Sequence, residues 1–231
     1  MRAAVVGGNG KTGRAVRAAL ARRGVASVSI GREEWPTLAT AMAGCEAAYL
    51  IAPNLHPDEP AYVAEALEAM RTAGVTRVVY HSVASPYAPQ MPHHLGKARS
   101  EDLVRRSGLA WTIMQPGAYL QNFDLRADLG ADLGDELAVP YDVDAIFGFA
   151  DLAEVGEAAA VVLTEDGHEG ATYELASRVA TAAELAAEAG HRAVRVEAAV
   201  DHPWLRAMFE YYDRHGLPVG TRQLSMLLGR P

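Results

Sequence analysis

The first fourteen residues constrain the fold more than any other stretch. Ala3-Ala4-Val5-Val6 is a continuous apolar run that passes straight into Gly7-Gly8-Asn9-Gly10-Lys11-Thr12-Gly13-Arg14, and a helical pattern begins behind it. A strand with no polar alternation is covered on both faces, which places it inside a sheet flanked by helices. Glycines 7, 10 and 13 sit three apart. In that context Gly7 makes the tight turn, Gly10 lets the backbone approach an anion, and Gly13 lets the helix lie close on the strand. Free N–H groups at the helix start, with the helix dipole behind them, then point at a phosphate. Gly7, Asn9, Gly10, Lys11, Thr12 and Gly13 are therefore the expected pyrophosphate-binding residues of a dinucleotide cofactor.

The pattern repeats along the first half. Strand-like runs at Ala3–Val6, Ala26–Ile30, Ala47–Ile51, Arg77–Tyr80 and Ala110–Met114 alternate with helical patterns at Thr12–Arg23, Pro57–Thr72 and about Leu95–Arg106. Gly24, Gly74 and Gly108 follow those helices, where a left-handed cap favours glycine. This alternation predicts an α/β fold with a doubly wound parallel sheet, and ligands then bind outside the carboxyl ends of the strands. The second half is less regular. Asp124–Asp144 reads as acidic loop, Asp151–Thr164, Ala182–Ala189 and Pro203–His215 as helices, and Thr172–Leu175 and Ala193–Val196 as strands. The expected organisation is a cofactor-binding core over 1–123 and a smaller substrate-side lobe over 124–231, continuous with it.

Composition excludes several classes. Half of the 231 residues are hydrophobic, enough for a sizeable core. A net charge of −8 without a basic block argues against direct nucleic-acid binding. The longest apolar runs fall far short of a membrane span of about 20 residues. A single cysteine, Cys45, precludes an internal disulfide and fits a reducing cytoplasm. Met1-Arg2 leads directly into the first strand, so no leader is expected. No Gly-x-Ser-x-Gly elbow surrounds Ser82, the glycine turn lacks phosphate-loop spacing, and the eight histidines show no zinc-ligand pattern, so no metal is expected.

The second strand ends Ser29-Ile30-Gly31-Arg32. Gly31 stands where an acid would bind a ribose 2′-hydroxyl, and Arg32 offers a fork that matches a 2′-phosphate. This favours NADP(H) over NAD(H), with Ala52 and Pro53 edging the adenine side. At the reacting end, Ser82 follows the fourth strand and Pro116 follows the fifth, both beside the nicotinamide. His93 and Lys97 lie one helical turn apart and share a face. Lys97 can donate to ribose hydroxyls, and His93 has a reference pKa suited to a general acid. Tyr119 and Phe123 would wall a flat substrate. The apolar residues of the final helix would serve a homodimer.

Several of these motifs resemble the NmrA-like family of atypical short-chain dehydrogenases/reductases. They are the glycine turn, Val78-Val79-Tyr80-His81-Ser82, His93-x-x-x-Lys97-x-x-x-Glu101, and Ser107-Gly108-Leu109-x-Trp111-Thr112-Ile113-Met114-Gln115-Pro116-Gly117 ending at Gln121-Asn122. Phe149-Ala150-Asp151-Leu152-Ala153-Glu154-Val155 and the closing Leu227-Leu228-Gly229-Arg230-Pro231 are similar to later family patterns. The resemblance implies a Rossmann-type fold that binds NADP(H), with a shorter substrate lobe than is usual. It implies a cofactor role for Lys97, the lysine of the Tyr-x-x-x-Lys pair. The tyrosine of that pair is His93 here, and the family's Arg-Pro-Gly is Gln115-Pro116-Gly117. Two functions stay open at this point. One is an NADPH-dependent reductase acting on a small quinone or conjugated carbonyl. The other is an NADP(H) redox sensor acting through a regulatory protein partner.

Overall fold

The computed structural model describes residues 1–123, 136–198 and 200–230. Its first half runs β1 (Arg2–Val6), α1 (Lys11–Arg22), β2 (Ala26–Ile30), α2 (Leu38–Ala41), β3 (Ala47–Leu50), α3 (Glu59–Thr72), β4 (Arg77–His81), α4 (Pro92–Arg105) and β5 (Ala110–Pro116). Then come β6 (Ala118–Tyr119), β7 (Glu136–Val139), β8 (Phe147–Ala150), α5 (Leu152–Thr164), β9 (Ala171–Leu175), β10 (Arg178–Ala180), α6 (Ala182–Glu188), β11 (Arg192–Arg195), α7 (Pro203–His215) and α8 (Arg222–Leu227).

The central sheet is six-stranded and wholly parallel, in the order β2-β1-β3-β4-β5-β9. The order reverses at β1, so the crevice between β1 and β3 opens at the carboxyl ends of the strands. Alternate strand residues feed two cores. Ala3, Val5 and Tyr49 face α1 and α5 with Val16, Leu20, Ala158 and Val162. Ala4, Val6 and Leu50 face α2, α3 and α4 with Leu38, Val63, Met70 and Val104. This is the Rossmann-type fold expected from the alternating pattern.

After β7 and β8 of the lobe the chain returns to the core through α5 and β9, and then completes the lobe. Helix α5 packs along α1, and β9 completes the sheet. The crossing is close because α5 carries Gly156: a Cβ there would lie 2.8 Å from the carbonyl carbon and oxygen of Ala15. Asp151 caps α5 through the Ala153 and Glu154 amides (2.8 and 3.1 Å). The lobe itself has a three-stranded sheet, β10-β8-β6, and a two-stranded one, β11-β7. Its core holds Phe147, Phe149, Tyr141 and Tyr212, with Ala84 and Met91 from the segment before α4.

Two sequence expectations change here. The stretch expected as loop over 124–144 carries β7 in its described part, paired to β11; residues 124–135 lie outside the description. Of α7, whose exposed apolar residues are expected to serve a homodimer, Met208, Phe209 and Tyr211 pack partly buried on the lobe's own core. No helix among the described residues is long and apolar enough to cross a membrane.

Candidate active site

One cleft of about 1260 Å³ runs along the carboxyl ends of the strands, from the glycine turn to α7. At its centre lie Gly7, Asn9, Gly10, Lys11, Thr12 and Gly13. The turn closes on itself, with the Gly10 amide donating to the Gly7 carbonyl at 3.0 Å. A Cβ on Gly13 would fall 2.3 Å from that carbonyl oxygen, and one on Gly8 would fall 2.6 Å from Ser29 Oγ. Both positions must therefore be glycine, and Gly8 adds a close turn–strand contact that the sequence reading did not assign. Helix α1 starts without a side-chain cap on Gly10. Its first-turn N–H groups point outward as donors, as an anion site requires. The cradle fits a dinucleotide diphosphate. Asn9 is held in place by Ser29 Oγ, which donates to its Oδ1 at 2.8 Å.

The end of the cleft expected to take the adenosine is lined by Arg32, Glu34, Trp35, Ala52, Pro53 and Tyr62. Arg32 is exposed and takes part in no ion pair among the described residues. Glu34 folds back so that its Oε2 accepts from the Gly31 amide at 2.8 Å. The strand end therefore presents an arginine fork and a carboxylate together. Trp35 and Tyr62 stack at 4.0 Å, forming a flat aromatic edge that sequence reading missed.

The reacting end contains Ser82, His93, Lys97, Pro116 and Tyr119, brought together from β4, α4, β5 and β6. Lys97 is buried, and its ammonium donates to Glu59 Oε1 at 2.7 Å and to the His81 carbonyl at 3.3 Å. An ammonium has three donors, so one remains for the cleft. Tyr80 also donates to Glu59 Oε1, at 2.5 Å. Ser82 does not aim a free hydroxyl at the cleft; it donates to Glu101 Oε1 at 2.5 Å. Gln115 Nε2 shares that oxygen at 2.7 Å, and Arg105 bonds Glu101 Oε2 at 3.2 Å. His81 bridges Tyr49 Oη (2.6 Å) and Tyr119 Oη (2.9 Å) with its two ring nitrogens. Burial, then the Lys97 charge, pushes its pKa down to about 3.

His93 requires a correction. It lines the cleft as expected, but burial, then the nearby Lys97 and His202, pushes its pKa down to about 4. At neutral pH it is an uncharged imidazole, unable to act as a stored acid. Phe123 requires another. It packs edge-on against Phe149 at 5.1 Å and belongs to the lobe core, not to the cleft lining. His94 is structural, placed between the Ser85 carbonyl and Tyr212 Oη (3.2 and 3.3 Å). Glu59 was not foreseen, because nothing at a helix start signals that one carboxylate will turn inward to a lysine 38 residues on. Among the described residues no group of three or more His, Cys, Asp or Glu could hold a metal ion.

The fold is of Rossmann type, and the cleft at the carboxyl ends of its strands fits a dinucleotide. Residues 28–139 match the family described as NAD(P)H-binding, and the NmrA-like resemblance carried by the motifs stands with it. In sequence the chain is 31% identical over 175 residues to the NAD(P)H azoreductase of Xenophilus azovorans, covering 73% of this chain and 60% of that protein. It is 29% identical over 175 residues to quinone oxidoreductase 2 of Escherichia coli (strain K12), covering 74% and 59%. The chain thus spans about three fifths of the length of the curated relatives it matches. In structure it resembles the NADPH complex of the E. coli quinone oxidoreductase, with a TM-score of 0.79 at 23% identity over 99% of this chain and 95% of that one. The NADP(H) complex of Citrobacter sp. triphenylmethane reductase gives 0.79 at 22%, over 99% and 95%. The transcriptional regulator NmrA in complex with NAD gives 0.79 at 20%, over 99% and 91%. These structural likenesses establish the shared fold.

Proposed function

We propose that the protein is an NADPH-dependent reductase that passes hydride to a small quinone, conjugated carbonyl or azo compound. The observation that carries this reading is the continuity of the cleft. It extends past Lys97 to Tyr119 and Met208, leaving room for an acceptor beside the nicotinamide end. The two curated relatives, an azoreductase and a quinone oxidoreductase, support the same class. When bound, the reduced nicotinamide supplies the hydride. The amides of residues 11–13 hold the diphosphate. Lys97, fixed by Glu59, gives its remaining N–H to the nicotinamide ribose. Tyr119 walls the acceptor side, and its hydroxyl is kept protonated by burial and pinned by His81. Arg32 favours NADP(H) over NAD(H) through the 2′-phosphate, with Glu34 limiting the preference.

The test is NADPH oxidation followed at 340 nm in the presence of 2-methyl-1,4-naphthoquinone or methyl red. Acceptor-dependent turnover is expected, and Lys97→Ala should reduce it on the order of a hundredfold, through lost positioning. Tight NADPH binding with no turnover across quinones, enones and azo dyes would overturn the proposal in favour of a redox sensor.

A further inference from the structure

Beside the main cleft lies a second, smaller cavity of about 190 Å³, walled in part by Glu59, His93, Leu95, Gly96, Arg99 and Trp204. His93 belongs to the lining of both cavities, so its ring is part of the partition between them. Two of the side chains in this wall are more than nine-tenths buried and carry a polar atom without a partner: Glu59 Oε2 and His93 Nδ1. The other carboxylate oxygen of Glu59 is fully engaged by Lys97 and Tyr80. Buried unpaired acceptors are costly, and water in an adjoining polar cavity is the usual remedy. At roughly 30 Å³ per water, the cavity accommodates several.

We infer that this side cavity is the proton entrance to the reaction cleft, with His93 passing the proton through the partition. The inference rests on the reductase reading above, and it gives His93 a role compatible with a neutral ring. An imidazole need not store a proton in order to relay one. In azo reduction, hydride carrying two electrons adds to one nitrogen. The N=N π pair moves to the other nitrogen, which takes the N–H proton from the cleft side of His93. The opposite ring nitrogen takes a proton from water in the side cavity, leaving hydroxide that solvent neutralises. The ring stays neutral but in the other tautomer, and it regains the first by proton exchange with water before the next turnover. Glu59, facing the same cavity, orders the water and fixes Lys97 at once.

Gly96 provides the test. It lines the side cavity in mid-helix, and a Cβ there meets nothing within 4 Å, so a larger side chain is accommodated at the cavity without displacing the backbone. Gly96→Leu plugs it, with Gly96→Ala as the folding control. Two acceptors separate proton supply from hydride transfer. Methyl red needs hydride and a proton, whereas the cationic dye malachite green needs hydride alone. Gly96→Leu should slow methyl red reduction by at least about tenfold, below the ceiling for positioned proton transfer, and leave malachite green reduction and the NADPH Kd unchanged. Exchange of the His93 ring N–H with water, followed by nitrogen-15 NMR in the NADP⁺-saturated protein, should slow in parallel. Equal slowing of both dyes, or equal ring exchange in Gly96→Leu and Gly96→Ala, overturns the inference. If the unsubstituted protein reduces neither dye, the reductase reading fails, and the exchange rates alone decide whether the cavity admits protons.

Discussion

Gln115 shows how a single residue change is absorbed at a buried charge. Glu101 is fully buried, and its carboxylate is satisfied by Ser82, Gln115 and Arg105, with Tyr87 Oη at 3.4 Å. Where the resemblance leads one to expect arginine, Gln115 supplies a neutral donor, and the charge comes from Arg105 one turn along α4. Removing the carboxylate leaves buried donors unpaired, and removing the arginine leaves a buried carboxylate without its cation. Glu101→Ala and Arg105→Ala should therefore each cost about 3 kcal/mol, measured by urea unfolding. At the other end of the cleft, Arg32→Ala should weaken NADPH binding about tenfold and leave NADH binding unchanged, as loss of a charge-assisted bond would. Glu34→Gln should strengthen NADPH binding alone. Fluorescence titration of both cofactors checks the pair, and parallel changes in NADPH and NADH affinity would refute it. Arg32 and Lys97 were legible in the sequence because each occupies a position that the strand and helix periods fix. Glu59 and the Trp35–Tyr62 stack were not, because each depends on how the first turn of α3 meets a segment distant in the chain, α4 or the stretch after β2, and no local period encodes such a contact.

Two glycines on helices make opposite demands at the scale of elements. Gly156 sits where α5 crosses α1 against the backbone of Ala15, while Gly96 faces open space on α4. The same substitution should move stability in opposite directions. Gly156→Ala forces the helices apart and should cost about 1–3 kcal/mol. Gly96→Ala should gain up to about 1 kcal/mol from helix propensity. Because α1 also carries the glycine turn, only Gly156→Ala should weaken NADPH binding as well. Thermal unfolding and cofactor titration of both variants decide this, and equal signs would refute the packing account. The elements themselves were legible to different degrees. Continuous apolar strands between amphipathic helices marked β1 to β5 within a residue or two, and Pro203–His215 coincides with α7. Strands β7, β8 and β10 went unread. Each is three or four residues long, too short for a period to show, and Phe147–Ala150 gains its identity only from partners before and after it in the chain.

For the whole molecule, two histidines tie the cofactor core to the lobe, a third lines the cleft, and all three are held neutral. His81 links β4 to β3 and β6, His93 stands in the cleft wall, and His94 joins α4 to Tyr212 on α7. Burial is the largest cause at each, lowering the pKa to about 3 for His81 and about 4 for His93 and His94; the Ser85 carbonyl partly offsets the shift at His94. In the unfolded chain a histidine titrates near pH 6.5. Above that value neither state binds a proton at these sites, so stability there is independent of them. Between about pH 6.5 and 4 the unfolded state binds protons that the folded state refuses, and stability must fall as pH falls. Each histidine contributes a slope approaching about 1.4 kcal/mol per pH unit, so together they remove about 4 kcal/mol per unit. Against a total of roughly 5–15 kcal/mol, the fold should be lost within the lower part of that window. The melting temperature should be flat from pH 8 to 6.5 and then drop steeply, and His94→Phe should lessen the slope by about a third of its value, since it removes one of three such groups. A melting temperature unchanged down to pH 4.5 would show that these rings accept protons in place, and that the join between core and lobe is looser than its hydrogen bonds imply.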